Sequence, residues 1–313
     1  MNIGAIGIDS GHVEAFTKLI NARNTAGTTK CRVTHIYTDG TNDWIQKPGN
    51  ADKERLANVA KWKQGALDNG AVETPSLKEM LKSCDGFMVL NVSGKRHAKF
   101  AIECLRTGKP TYIDKPLACS LTDAKKIMAA AKKKKTPCYS ASSLRFISAL
   151  DAVDFASLGK IVAIDAYAPG ELLKADPDLW HYGCHAIELV DSIFSRSKQG
   201  AGVKRVSAVK MADRHLLDME YRDGRYVRIR MERKASWEFG AIIHGEKGAA
   251  TIRETFKDGA AIYDRLIGGM VSFFEGKGAP VALRDIVETV GVMEMGNKSI
   301  KKNGAWVNVP TIK

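Results

Sequence analysis

The sequence has no run of about 18 consecutive apolar residues, the least a membrane-spanning helix needs. It has no C-x-x-C pair either. Its six cysteines, Cys31, Cys84, Cys104, Cys119, Cys138 and Cys184, are scattered without ligand spacing, so we expect reduced thiols, no disulfide framework and no metal site. A basic-then-apolar leader is missing: Met1-Asn2-Ile3-Gly4-Ala5-Ile6-Gly7 reads as a strand. The expectation is a cytoplasmic protein with no membrane contact. Internal repeats and low-complexity linkers are absent. Acidic residues are short, 35 against 48 basic, for a net charge of +13. Nucleic-acid binding would need a recognition helix, a zinc module or aromatics interleaved with basic residues, and none is present. Lys132 to Lys135 close a helix pattern, where cations suit the macrodipole. Arg228 and Arg230 fall on one face of a strand pattern. The charge therefore reads as solubility and distant attraction of anionic small molecules, not as nucleic-acid recognition.

What is present is ordinary globular material. The 313 residues are 44% hydrophobic and 27% charged, enough for two domains with their own cores. Up to about residue 115, strand and helix signals alternate. Ile3 to Ile8 is a short apolar run, followed by Val13, Phe16, Leu19 and Ile20 at helical spacing. Val33 to Tyr37, Gly86 to Asn91 and Thr111 to Ile113 are further strand candidates. Ser76 with Glu79, and Ser120 with Asp123, form capping pairs ahead of apolar helical runs. A helix with Phe100, Ala101, Cys104 and Leu105 stops at Gly108. Such alternation predicts a doubly wound parallel sheet.

Beyond residue 160 the character changes. Ile161 to Tyr167 reads as a strand and 180–194 as a helix. Alternating segments follow at Val203 to Lys210, Leu217 to Tyr221, Arg225 to Lys234 and Phe239 to His244. Asp223-Gly224 marks a hairpin turn. The fold class predicted is α/β: a Rossmann-like dinucleotide-binding domain over 1–118, then an α+β domain over 119–313 with a mostly antiparallel sheet.

The first turn, Gly7-Ile8-Asp9-Ser10-Gly11-His12, runs from strand to helix, where free N–H groups and a positive dipole end suit a pyrophosphate. The dinucleotide fingerprint is G-x-G-x-x-G, yet Asp9 stands at the second glycine position and His12 at the third. A carboxylate about 4 Å from a phosphate would cost roughly 4 kcal/mol at an effective dielectric of about 20. Alternatively Asp9 turns away to cap the helix, as Ser10 also can. Asp39 closes the second strand, farther from the turn than the roughly 20-residue interval usual for the acid that takes the adenosine ribose. It either binds that ribose, which leans the cofactor to NAD over NADP, or makes an ordinary Asp-Gly turn.

Three other segments carry chemistry. Asn91-Val92-Ser93-Gly94-Lys95-Arg96-His97 leaves a strand and enters a helix. Thr111-Tyr112-Ile113-Asp114-Lys115-Pro116 ends a strand in an acid, a lysine and a proline, with the lysine at the carboxyl end, where ligands bind in such sheets. His181 and His185, four apart, share a helix face. Taken alone, these read equally as a polar connection, a solvated lysine and two satisfied core histidines.

Together they resemble the Gfo/Idh/MocA family of oxidoreductases, with Gly108-Lys109-Pro110 and Asp114-Lys115-Pro116 the most specific part. The resemblance implies NAD- or NADP-dependent hydride transfer on a sugar or polyol hydroxyl and assembly as a homodimer or homotetramer. It implies that Lys115 contacts the reacting hydroxyl and the nicotinamide ribose, and that His185 is the general acid or base. An imidazole suits that task near neutrality. His181 stands where an aspartate is common, and Ser93 where a proline is. Asn91, Ser93 and His97 would line the nicotinamide side. Gly7, Asp9, Ser10, His12, Asp39 and Asp114 complete the expected cofactor set. Tyr139 and Arg145 fall in a segment that often faces the site. The competing expectation is a binding or regulatory homologue that kept the fold and lost turnover.

Overall fold

The computed structural model describes residues 1–255 and 259–312. The chain divides into two units: Met1–Ala141 with Tyr263–Leu283, and Ser142–Ile262 with Arg284–Lys313. The boundary drawn at residue 118 falls inside the first unit, because one more helix and strand of its sheet follow it.

The first unit is built from β1 (Asn2–Ile6), α1 (His12–Thr25), β2 (Arg32–Tyr37), α2 (Thr41–Gln46), α3 (Lys53–Asp68), β3 (Val72–Glu73), α4 (Leu77–Ser83), β4 (Gly86–Val89), α5 (Gly94–Arg106), β5 (Thr111–Ile113), α6 (Leu121–Lys134) and β6 (Cys138–Tyr139). The sheet order is β3-β2-β1-β4-β5-β6, and every pairing is parallel. β4 and β5 are buried along their whole length, as strands covered on both faces must be. The winding direction reverses between β1 and β4, the place where such sheets open a ligand crevice. Both capping pairs form as expected: Ser76 accepts from the Glu79 N–H and Ser120 from the Asp123 N–H.

The second unit holds α7 (Phe155–Leu158), β7 (Ile161–Pro169), α8 (Leu179–Arg196), β8 (Val203–Lys210), β9 (Arg214–Tyr221), β10 (Tyr226–Glu232), β11 (Glu238–Gly245) and β12 (Gly248–Thr255). Next in the chain come α9 (Gly259–Phe274), most of which belongs to the first unit, then α10 (Leu283–Ile300) and β13 (Val307–Asn308). The sheet order is β12-β11-β7-β10-β9-β8-β13. All pairings are antiparallel except β7 with β10. Val227, Ile229 and Met231 are buried on the inner face. On the outer face Arg228 pairs with Asp218 and Arg230 with Glu232, so that face is less basic than the sequence alone suggests. Among the described residues no helix is long and apolar enough to cross a membrane.

Candidate functional site

β1 ends against β4, and the contact there dictates glycine. Gly7 has φ +94°, and a Cβ on it would come within 2.7 Å of the Asn91 side chain and 2.8 Å of its backbone nitrogen. The chain then turns into α1, whose N-cap is Gly11 and has no side-chain cap. Ser10 Oγ accepts from the His12 N–H at 3.2 Å and donates to the Leu90 carbonyl.

Asp9 does not cap the helix. Its side chain is fully buried and turned inward, where Oδ1 accepts from the Val92 N–H at 3.0 Å. Oδ2 lies 3.8 Å from Arg96 Nη1, and Arg55 donates to the Asp9 carbonyl at 2.8 Å. Burial raises the Asp9 carboxyl above its ordinary range, against the pull of Arg96 and the Val92 bond. Of the two sequence alternatives, turning away is what the structure shows, although toward β4 and α5 rather than onto the helix end.

Asp39, at the end of β2, is drawn into the same cluster. Its Oδ1 accepts from Thr41 Oγ1 at 2.5 Å and its Oδ2 from Asn91 Nδ2 at 2.7 Å. Arg96 Nη2 lies 2.8 Å from Oδ2 and donates to the Asp39 carbonyl. Burial pushes the Asp39 carboxyl up to about 6 despite Arg96. The carboxylate expected to meet a ribose is thus engaged by three protein groups. Sequence reasoning missed Arg96, which bridges both acids from α5 and lies against the Trp44 ring. Its place one turn before Phe100, on the buried face of α5, was the available signal. Beside this cluster a cavity of about 350 Å³ opens at the ends of β1 and β2, lined by Ile8, Thr38, Thr41, Asp43, Leu56 and Lys63 among others.

The β5 end forms a second group in the same unit. His12 Nδ1 meets Asp114 Oδ2 at 2.5 Å, its Nε2 is 3.2 Å from Tyr263 Oη, and its ring stacks on Phe16. Asp114 Oδ1 accepts from the Lys115 N–H at 2.9 Å. Burial alone would raise the Asp114 carboxyl; His12, its hydrogen bond and Lys115 outweigh that and hold it below the ordinary range. Lys115 is half-buried at the carboxyl end of the strand, before a cis peptide to Pro116. The His97 ring lies between the carbonyls of Asn91, 2.7 Å from Nε2, and Pro116, 2.8 Å from Nδ1. Ser93 caps α5 by accepting from the Lys95 N–H. The first unit therefore gathers Gly7, Asp9, Ser10, His12, Asp39, Asn91, Ser93, His97, Asp114 and Lys115 at the carboxyl ends of its strands. Tyr139 is instead a core ring of this unit, packed on Tyr112 and Phe273.

His181 and His185 belong to the second unit, on α8, and both are buried. His185 Nδ1 is 2.7 Å from Ser142 Oγ, and its ring contacts Tyr182 and Phe239. The His181 ring also meets Tyr182. Arg145 is buried, with Nε on Glu188 Oε2 at 2.7 Å and Nη2 on Asp191 Oδ2 at 2.5 Å. Sequence reasoning missed Ser142 and Glu188. Among the described residues no group of three His, Cys, Asp or Glu is placed to hold a metal ion.

The sequence profile of the oxidoreductase family with an NAD-binding Rossmann fold matches residues 12–142. That match begins at His12, after the turn that follows β1. The uncharacterised oxidoreductase YhhX of Escherichia coli K12 is 27% identical over 138 residues, a stretch spanning 39% of this chain and 39% of that relative. Two solved structures share the fold across nearly the whole chain. The myo-inositol dehydrogenase of Lactobacillus casei, bound to NAD(H) and myo-inositol, has a TM-score of 0.73 at 14% identity, covering 100% of this chain and 98% of that one. The WlbA dehydrogenase of Bordetella pertussis, bound to NADH and UDP-GlcNAcA, has a TM-score of 0.71 at 14% identity, covering 99% and 98%.

Proposed function

We propose that this chain, whose residues 12–142 match the oxidoreductase family with an NAD-binding Rossmann fold, is a nicotinamide-dependent dehydrogenase or reductase of the Gfo/Idh/MocA type acting on a hydroxyl of a sugar, polyol or related compound. One observation carries this reading: the Asp9 carboxylate is held on the Val92 N–H, away from the α1 N-terminus. The acid at the second glycine position then leaves the phosphate turn to backbone N–H groups and the helix dipole. Gly7 and the cavity beside β2 fit a dinucleotide.

When bound, the nicotinamide supplies the hydride acceptor or donor. The chain supplies the rest. The Lys115 ammonium, its backbone fixed by Asp114, stabilises the alkoxide that forms as the hydroxyl loses its proton. His185 takes or returns that proton, and His181 adds a polar group on the same helix. NAD and NADP are both admitted: with Asp39 engaged by Arg96, Thr41 and Asn91, the ground for favouring NAD narrows. We place the protein in the cytoplasm. We assign a homodimer or homotetramer to the outer face of the seven-stranded sheet, where Tyr167, Leu216 and Ile242 line a depression of about 550 Å³.

The test is turnover. Reduction of NAD or NADP is followed by absorbance over a panel of polyols and aldoses, and oxidation of NADH or NADPH over the corresponding keto compounds. A rate that depends on both dinucleotide and substrate supports the reading. Silence across the panel, with the protein folded, contradicts it.

A further inference from the structure

His12 opens α1 at the place where the dinucleotide fingerprint has its third glycine, the one that lets helix and strand pack closely. Here a ring fills that place, and both of its nitrogens meet protein groups. Nδ1 is 2.5 Å from Asp114 Oδ2 and Nε2 is 3.2 Å from Tyr263 Oη. Phe16 stacks on the ring with 4.6 Å between centroids, and Tyr263 closes it edge-on at 5.3 Å. His12, Phe16, Asp114 and Tyr263 all belong to the first unit. Chemistry fixes the direction of the Nδ1 contact. The Asp114 carboxyl is held below its ordinary range, hence ionised near neutrality, and a carboxylate only accepts. The proton of this bond is therefore on Nδ1, whether the ring is neutral or charged. The other carboxylate oxygen, Oδ1, accepts from the Lys115 N–H at 2.9 Å, with Tyr112 Oη 3.4 Å away.

We infer that His12 is a positioning residue for Lys115: it fixes the Asp114 carboxylate, and the carboxylate fixes the Lys115 backbone. This rests on the reading of Lys115 as the group that stabilises the alkoxide. Asp114 is buried, so its charge depends on protein partners. Among the groups that offset its burial His12 is the largest, ahead of Lys115 and His97. A ring packed between Phe16 and Tyr263 has little freedom to swing. Its Nδ1–H holds Oδ2 in place and keeps Oδ1 aimed at the next amide, from which the Lys115 side chain starts. Without His12 the buried carboxylate loses its strongest support and takes up a proton or turns to another donor. The lysine then departs from a less fixed backbone, and small displacements of a reacting group cost rate steeply. With both ring nitrogens engaged, His12 serves the reaction through Asp114 and not as a phosphate ligand.

The side-chain carboxyl resonance of Asp114 in the full-length protein, assigned by its loss in Asp114→Asn, reads this link without turnover. The wild-type carboxyl is expected to stay ionised from about pH 8 down to about pH 5. In His12→Gly and His12→Leu it titrates within that window. His12→Asn, whose side-chain amide can donate near the place of Nδ1, keeps it ionised. A carboxyl that stays ionised in both His12→Gly and His12→Leu overturns the proposal. In turnover with a substrate from the polyol panel, His12→Gly and His12→Leu lower kcat by about tenfold or more, His12→Asn restores it, and dinucleotide affinity measured by thermal unfolding is unchanged. Loss of dinucleotide affinity at unchanged kcat would make His12 a phosphate ligand and overturn the proposal. An inactive wild type would count against the dehydrogenase reading, while the carboxyl titration still reads the His12–Asp114 link on its own.

Discussion

Asp9 Oδ1 accepts the backbone N–H of Val92 at 3.0 Å, across 83 residues of sequence. This bond joins the end of β1 to the segment after β4, at the switch point of the parallel sheet. It decides where the acid of this turn goes: the carboxylate is engaged inside the protein.

Replacing Asp9 by glycine restores the second glycine of the fingerprint, with His12 still at the third position, but removes this bond. The Val92 amide loses its acceptor and Arg96 loses one of two carboxylates. We expect a loss of stability of about 1–3 kcal/mol by denaturant unfolding, with dinucleotide affinity unchanged or weaker. A gain in affinity of about tenfold would show that Asp9 opposes the phosphates after all.

Arg96 should matter more than either acid. Arg96→Met leaves Asp9 and Asp39 buried without their shared cation, a change that typically costs about 3–5 kcal/mol. Adding Asp39→Asn to that variant recovers part of the loss, because one uncompensated charge is gone. If Arg96→Met unfolds at the same denaturant concentration as the wild type, the bridging role is wrong.

Asp39 sets a pH dependence with a definite sign. Its carboxyl is raised from 3.8 to about 6 in the folded protein. A raised folded value means the contribution to stability is fully present below pH 3.8 and is lost as pH climbs through about 6. Relative to Asp39→Asn, the wild type should therefore lose stability between about pH 4 and about pH 6. Unfolding free energies of the two proteins measured across that window check this, and a difference that is flat or rises contradicts it.

Lys115 separates catalysis from folding. Lys115→Ala should lower kcat by about 100-fold or more while the unfolding free energy stays within about 1 kcal/mol of wild type. Near-normal turnover on the substrate found in the panel would remove Lys115 from the reaction.

Much of the scaffold could be read from local pattern, and much of the site could not. The strands β1, β2, β4 and β5, the two serine caps and the Asp223-Gly224 turn each announce themselves within a few residues. α3 did not, because only Val59 and Ala66 of its 16 residues are buried and no apolar stripe marks it. The parallel pairing of β7 with β10, and the return of Tyr263–Leu283 to the first unit, are long-range events that no local spacing encodes. The same holds for charge. Asp9 could be flagged as out of place from the sequence, but its partner Arg96 lies in a segment where only Asn91, Ser93 and His97 are singled out. His12 likewise stood out as a missing glycine, while its contacts with Asp114 and Tyr263 depend on the ends of α1, β5 and α9 meeting.

The central claim is that this turn accepts a nicotinamide dinucleotide even though it carries an acid. Thermal unfolding of the wild type with NAD, NADH, NADP and NADPH tests it most directly. A ligand of the folded state at about 100 times its dissociation constant adds about 2.7 kcal/mol. We expect at least one of the four to raise the transition temperature in a concentration-dependent way. No shift with any of them would contradict the account.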